Sequence, residues 1–183
     1  MRQHHAMDDM VLAALQKWPN VPHCHGWLAL DARGDWYMRD DATQHAGPFP
    51  QVKGSRIVHA RLLEFIGRNY GCDTEGAWYF QNGPQRVYVQ LEAAPWTWRV
   101  HWHDDAAAAS VHSHTGLPAQ VRGAWLDEHG RLFLDTDRGF GVVHSQDMLD
   151  ASQAVERGLW TPADIAFDQA PARFGYRLQP QPA

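Results

Sequence analysis

Two alternating apolar and polar runs, 77–80 and 86–91, flank Gln81-Asn-Gly-Pro84 and give the clearest pattern in the chain. Asn-Gly tolerates the positive φ of a tight turn, so the pattern predicts an antiparallel hairpin. Just before it, Asp73-Thr-Glu-Gly76-Ala-Trp78 sets an acidic residue and a glycine ahead of an aromatic strand. The same arrangement recurs as Asp31-Ala-Arg-Gly34-Asp-Trp36-Tyr-Met38 and as Asp127-Glu-His-Gly130-Arg-Leu132-Phe-Leu134.

Along the chain, Met7, Met10, Val11, Ala14, Leu15 and Trp18 form one stripe and predict a helix over 5–18, ended by Pro19. Runs 26–30 and 35–39 make a first hairpin around Asp31–Gly34. Residues 40–54 read as a polar loop of functional length. A second helix is expected over 55–69, capped by Ser55, with Val58, Leu62, Phe65 and Ile66 inward. The central hairpin follows. In the second half, Trp98, Val100 and Trp102 alternate with polar residues over 97–103, which predicts a one-sided strand. Residues 108–114 return. Short strands are expected at 121–126, 131–135 and 140–144, then a helix capped by Ser145 and ended by Gly158. The tail offers one strand, 173–178, and a fraying Gln-Pro-Gln-Pro-Ala end.

Short turns join antiparallel neighbours. The expected fold is therefore α+β: two related halves of antiparallel sheet, each packed with a helix. The domain expectation is an N-terminal half over 1–93, a strand-rich half over 94–160 and an extension over 161–183.

Composition narrows the class. The 183 residues suit one domain or two small ones. Net charge is −5, with no basic stripe, which disfavours non-specific nucleic-acid binding. No apolar run approaches the ~20 residues of a membrane span. The N-terminus has charges where a signal peptide needs an apolar segment, so a cytoplasmic protein is expected. Cys24 and Cys72 are expected as reduced thiols.

The run Asp73-x-x-Gly-x-Trp-Tyr…Pro84-x-Arg86-Val-x-Val-x-Leu-Glu92-x-Ala-Pro95-Trp resembles an uncharacterised bacterial family. It is of the kind known as domain of unknown function 1285, or a close sister family. Where that pattern has a basic residue before Arg86 and an acidic one after Glu92, this chain has Gln85 and Ala93. The resemblance implies a duplicated protein with a pleckstrin-homology-like second half. It also implies a nucleotide-like ligand between the halves and a role in signalling. Trp78, Tyr88, Trp96 and Trp98 offer flat faces for a ring, and Arg86 a fork for phosphate or carboxylate. Glu92 offers an acceptor for a ribose hydroxyl. The plainer alternative is that Arg86 pairs with Glu92 and the tryptophans are core.

Three His-x-His pairs occur, at His23/His25, His101/His103 and His112/His114. Residues two apart share a strand face, so His101, His103, His112 and His114 could present four imidazoles to one metal. No glycine-flanked nucleophile, calcium loop or phosphate-binding glycine loop is legible. The expected function is a small ligand-binding or regulatory protein rather than an enzyme. The alternatives are a metal-dependent enzyme or metal-binding protein using the paired histidines, and a protein-interaction module.

Overall fold

A computed structural model describes residues 7–183. The chain divides into two compact units. One holds 7–31, Asp35–Glu92 and Gly175–Ala183; the other holds Ala32–Gly34 and Ala93–Phe174.

In the first unit, helix α1 (Asp9–Lys17) lies within the expected span, whose residues 5 and 6 fall outside the described residues. Of its apolar stripe Val11 is buried, while Met10 and Trp18 stay exposed. Strands β1 (Cys24–Leu30) and β2 (Trp36–Met38) form the first hairpin. The expected 40–54 loop contains a short helix, α2 (Asp41–Ala46), because Asp40 caps it by accepting from the Thr43 amide at 2.9 Å. The expected second helix starts late. Ser55 does not cap it, because β3 (Ser55–Arg56) pairs with β2 instead. His59 is the cap of α3 (Ala60–Arg68), accepting from the Leu62 amide. Val58 and Leu62 are consequently exposed, and Ile66 and Phe65 pack inward, Phe65 edge-on to Phe80.

Strands β4 (Tyr70–Cys72), β5 (Trp78–Asn82) and β6 (Gln85–Leu91) form a second meander. The β5–β6 loop is Gly83-Pro84, with Gly83 at φ 58°. The sheet order is β3-β2-β1-β6-β5-β4, and β1 runs parallel to β6. The sheet is mixed rather than purely antiparallel, because the chain crosses over through α3 between the meanders.

The second unit repeats this plan. Strands β7 (Trp96–His103) and β8 (Ala108–Ser113) form a hairpin. Strands β9 (Val121–Leu126), β10 (Leu132–Thr136) and β11 (Gly139–Val143) form a meander, and β7 runs parallel to β11. In both units the first strand of the first meander therefore pairs in parallel with the last strand of the second. Strand β11 covers β7 only as far as Trp98. Beyond that point α4 (Met148–Glu156) takes over. Asp147, just before it, accepts from the Val100 amide at 3.0 Å, and Asp150 accepts from the Trp102 amide at 2.9 Å. Two carboxylates thus satisfy amides that a further length of strand would have paired.

The tail differs from expectation. A two-residue strand β12 (Ala163–Asp164) adds to β9, and α5 (Ala170–Phe174) replaces the start of the expected 173–178 strand. Phe174 stacks on Phe140 at 4.0 Å, which fixes that segment by ring packing. Residues 175–183 belong with the first unit. The Leu91 amide donates to the Leu178 carbonyl at 2.8 Å, and Tyr176 and Pro180 are buried. Of the end expected to fray, 179–183, the first two residues are held, Gln179 Nε2 donating to the Phe49 carbonyl at 3.3 Å and Pro180 being buried, while the last three are exposed. Among the described residues no helix is long and apolar enough to cross a membrane.

Candidate functional site

The three Asp-x-x-Gly segments fold into one kind of turn. In each, the aspartate amide donates to the carbonyl four residues on: Asp31 to Asp35, Asp73 to Ala77, Asp127 to Arg131. Each Oδ1 accepts the amide of that same residue, at 3.0, 2.9 and 2.8 Å. The glycine closes the turn with positive φ, 82°, 86° and 74° at Gly34, Gly76 and Gly130. Such a φ is nearly free only for glycine. Asp73 and Asp127 occupy the same place in the repeated plan, between the first two strands of the second meander.

The turns differ at Oδ2. Lys53 Nζ lies 3.0 Å from Asp31 Oδ2, and the Tyr37 hydroxyl donates to the same oxygen at 3.1 Å. Arg131 Nε donates to Asp127 Oδ2 at 2.8 Å. At Asp73 the donor is the Tyr88 hydroxyl, at 3.2 Å. Tyr88 and Tyr79 are directly opposite on β6 and β5, so they share a sheet face with Arg86. The Arg86 guanidinium lies 3.9 Å from the Tyr79 ring centre, and its Nη1 reaches the Tyr88 oxygen at 3.4 Å. Burial pushes the Tyr79 phenol above its ordinary pKa, against the pull of Arg86.

On this face the chain forms a cleft of about 250 Å³, lined by His23, His25, Asp73, Tyr88, Arg177 and Gln181 among others. His25 stacks on Tyr88 at 4.6 Å, and His23 meets the same ring edge-on at 5.6 Å. Burial, helped by His23, lowers the His25 pKa, so the imidazole resists protonation. Glu75 and Arg177 form the rim. Arg177 Nε donates to the Glu75 carbonyl at 3.2 Å, and the Arg177 amide donates to Gly76 at 3.0 Å. The tail residues thus make one wall and the sheet the other.

Of the residues singled out in the sequence, Tyr88 lines this cleft, and Arg86 lies behind it, touching the Tyr88 hydroxyl and the Tyr79 ring without being one of the lining residues. Trp78 does not join them. It lies on the opposite face of β5, buried against Tyr70 with ring centres 4.9 Å apart. Glu92 is six positions from Arg86 along one chain, roughly 20 Å in extended backbone, so the pair does not form. Glu92 instead lies 3.6 Å from Lys53. Trp96 and Trp98 belong to the second unit, where both are buried, the Trp96 indole donating to the Arg138 carbonyl at 3.0 Å and the Trp98 indole to the Leu134 carbonyl at 3.0 Å.

The four β7–β8 histidines do not converge. His101 and His103 are exposed and edge-on to each other at 4.5 Å. His103 bonds the Ser110 hydroxyl, and His101 lies 3.6 Å from Asp150. His112 stands opposite Arg99. His114 lies past the end of β8, where its Nδ1 accepts from the Thr97 amide at 3.1 Å. Among the described residues no three His, Cys, Asp or Glu side chains group where they could hold a metal ion.

A second cleft, about 400 Å³, lies beside the Asp127 turn and is lined by Glu128, Asp164, Gln169 and Arg173. Its aspartate is already neutralised by Arg131. Glu128 accepts from the Phe167 amide at 2.9 Å, which with that bond as the largest cause lowers its pKa.

The class defined by this fold is a duplicated α+β protein of mixed sheets. Two crystal structures resemble it. One is of a DUF1285 family protein from Shewanella baltica OS155, with 15% identity, TM-score 0.47, and 72% of this chain and 91% of that one covered. The other is of a DUF1285 family protein from Silicibacter pomeroyi DSS-3, with 12% identity, TM-score 0.46, and 79% and 82% covered. The chain belongs to the family DUF2944, described as "Protein of unknown function (DUF2946)", whose model matches residues 7–181. The uncharacterised kind of family expected from the central hairpin is the kind found. No curated protein matches the chain.

Proposed function

We propose that this chain is a small-molecule-binding protein with a regulatory rather than catalytic role, and that its site is the cleft beside Tyr88 in the first unit. One observation carries the reading. The Tyr88 hydroxyl, the Asp73 carboxylate and the His23 and His25 rings converge on one cleft of about 250 Å³. Such convergence of a few polar groups on a concave, ring-lined site is how small-ligand sites are built. The volume falls just below the ~300 Å³ at which typical ligand pockets begin, so a compact ligand or one fragment of a larger one fits. A phosphate would bring its charge against Asp73 and Glu75. A nucleotide-like ligand would therefore enter by its base or sugar.

The test is a thermal-shift screen of small metabolites, nucleosides and nucleotides against wild type and His23→Trp, whose indole would fill the cleft. A ligand at 100 times its dissociation constant adds about 2.7 kcal/mol of stability, or roughly 5–10 °C in Tm for a chain this size. The expected result is a rise in wild type that the variant lacks. Hits that stabilise both proteins equally would place binding elsewhere and end this reading.

A further inference from the structure

Resting on the cleft as a ligand site, we propose that the ligand is a cation: an ammonium, amidinium or guanidinium group that pairs with Asp73. The argument is internal to the molecule. Three turns present the same carboxylate in the same geometry. In two of them Oδ2 meets a cationic side chain directly, Lys53 at 3.0 Å and Arg131 at 2.8 Å. In the third, Oδ2 meets a neutral phenol, and both that aspartate and that tyrosine line the cleft.

The two units supply a closer comparison. Counting six residues from the aspartate, Tyr79 corresponds to Phe133. Each ring carries an arginine guanidinium, Arg86 over Tyr79 and Arg131 over Phe133. Arg131 comes from the fourth position of its turn and so reaches Asp127 as well. That position in the first unit is Ala77, which has no charge to offer. Arg86 comes from the neighbouring strand and reaches Asp73 only through the Tyr88 hydroxyl. Among the described residues, the direct ion pair that Arg131 gives Asp127 thus has no counterpart at Asp73, and Ala77, the residue at the corresponding turn position, lines the cleft.

The rest of the lining agrees. Glu75 adds a second carboxylate, and Arg177 is engaged with Glu75 through its carbonyl at 3.2 Å and its carboxylate at 4.0 Å. The His25 pKa is lowered, which keeps that ring neutral. Aromatic rings of Tyr88 and His25 suit an organic cation better than a small hydrated ion.

The experiment uses the full chain and four probes: methylguanidinium and ethylammonium as cations, acetate and inorganic phosphate as anions. Amide chemical shifts of Glu75 and Ala77, the two amides that Asp73 Oδ1 accepts, report the site. Both cations should shift them saturably, and neither anion should. Asp73→Asn keeps a side-chain oxygen for the turn and removes the charge, and should weaken methylguanidinium about tenfold or more. A response to the anions, or a cation response that Asp73→Asn leaves unchanged, or silence from all four probes, overturns the cationic assignment. The metabolite screen with His23→Trp judges the cleft itself separately.

Discussion

The Tyr88 hydroxyl donates to Asp73 Oδ2 at 3.2 Å, across the 15 positions that separate strand β6 from the turn before β5. That bond ties the strand pair to the turn and sets the polar edge of the cleft. Tyr88 is largely buried, so its hydroxyl is satisfied by Asp73 and Arg86 rather than by solvent. Tyr88→Phe should therefore cost about 1 kcal/mol, the usual net worth of one such bond. Urea unfolding followed by tryptophan fluorescence reads the change.

Arg39 is more deeply buried still, at 2% exposure, and is held by neutral acceptors: the Val52 carbonyl at 3.2 Å, the Gly47 carbonyl at 2.6 Å and Gln90 Oε1 at 3.0 Å. Burial lowers its pKa, yet the guanidinium pins the long 40–54 segment to β6. Arg39→Met removes every donor and leaves those acceptors without it. A loss of about 2–4 kcal/mol is expected, with protease cleavage appearing within 40–54.

The turn glycines should not be equivalent. At Gly130 a Cβ would meet nothing within 4 Å, so Gly130→Ala carries only the strain of its φ of 74°, about 1–2 kcal/mol. At Gly76 a Cβ would run into the Gly175 carbonyl oxygen. Gly76→Ala should cost clearly more than Gly130→Ala and should loosen the tail, seen as faster hydrogen exchange at the Arg177 amide. Equal costs would show that the tail does not pack on the turn as described.

Asp147 predicts an acid response in the second unit. Burial raises its pKa, but the Arg99 guanidinium at 2.6 Å and the Val100 amide outweigh that and hold it below the ordinary range. A carboxyl depressed in the folded state stabilises above its unfolded pKa, about 3.9, and loses that contribution as pH falls through the lower folded value. Wild-type stability should thus fall below about pH 4, and Asp147→Asn should show a shallower fall over that window. Denaturant melts at a series of pH values test this.

The central hairpin was legible because its signals are local. Alternation over 86–91, the glycine of the turn and the Asp-x-x-Gly pattern all act within a few residues. The same holds for the repeat, whose three turns share bonds as well as letters. Parallel pairings such as β1 with β6 were not legible, because they join segments some 60 positions apart through a crossover. Ser55 read as a helix cap but is a strand residue, since its pairing with Met38 is a tertiary choice. The site was half visible. Tyr88 lines the cleft and the sequence singles it out, and His23 and His25 stand in the sequence as a pair; Arg86, also singled out, touches Tyr88 from outside the lining. Asp73 was read as a turn residue, with no sign of what its outer oxygen meets. Arg177 lay hidden, because it reaches the rim from 102 positions away. Trp78 lies away from Tyr88 for a physical reason: alternation gives a strand two faces, and the sequence alone does not say which one is core.

The most direct measurement is a two-dimensional amide NMR titration of wild type with whichever compound stabilises it most in the metabolite screen. The cleft reading predicts saturable shifts at the amides of Glu75 and Ala77, together with the ring protons of Tyr88 and His25. Shifts confined to the Asp127 cleft, around Glu128, Asp164 and Arg173, would contradict it and move the binding site to the second unit.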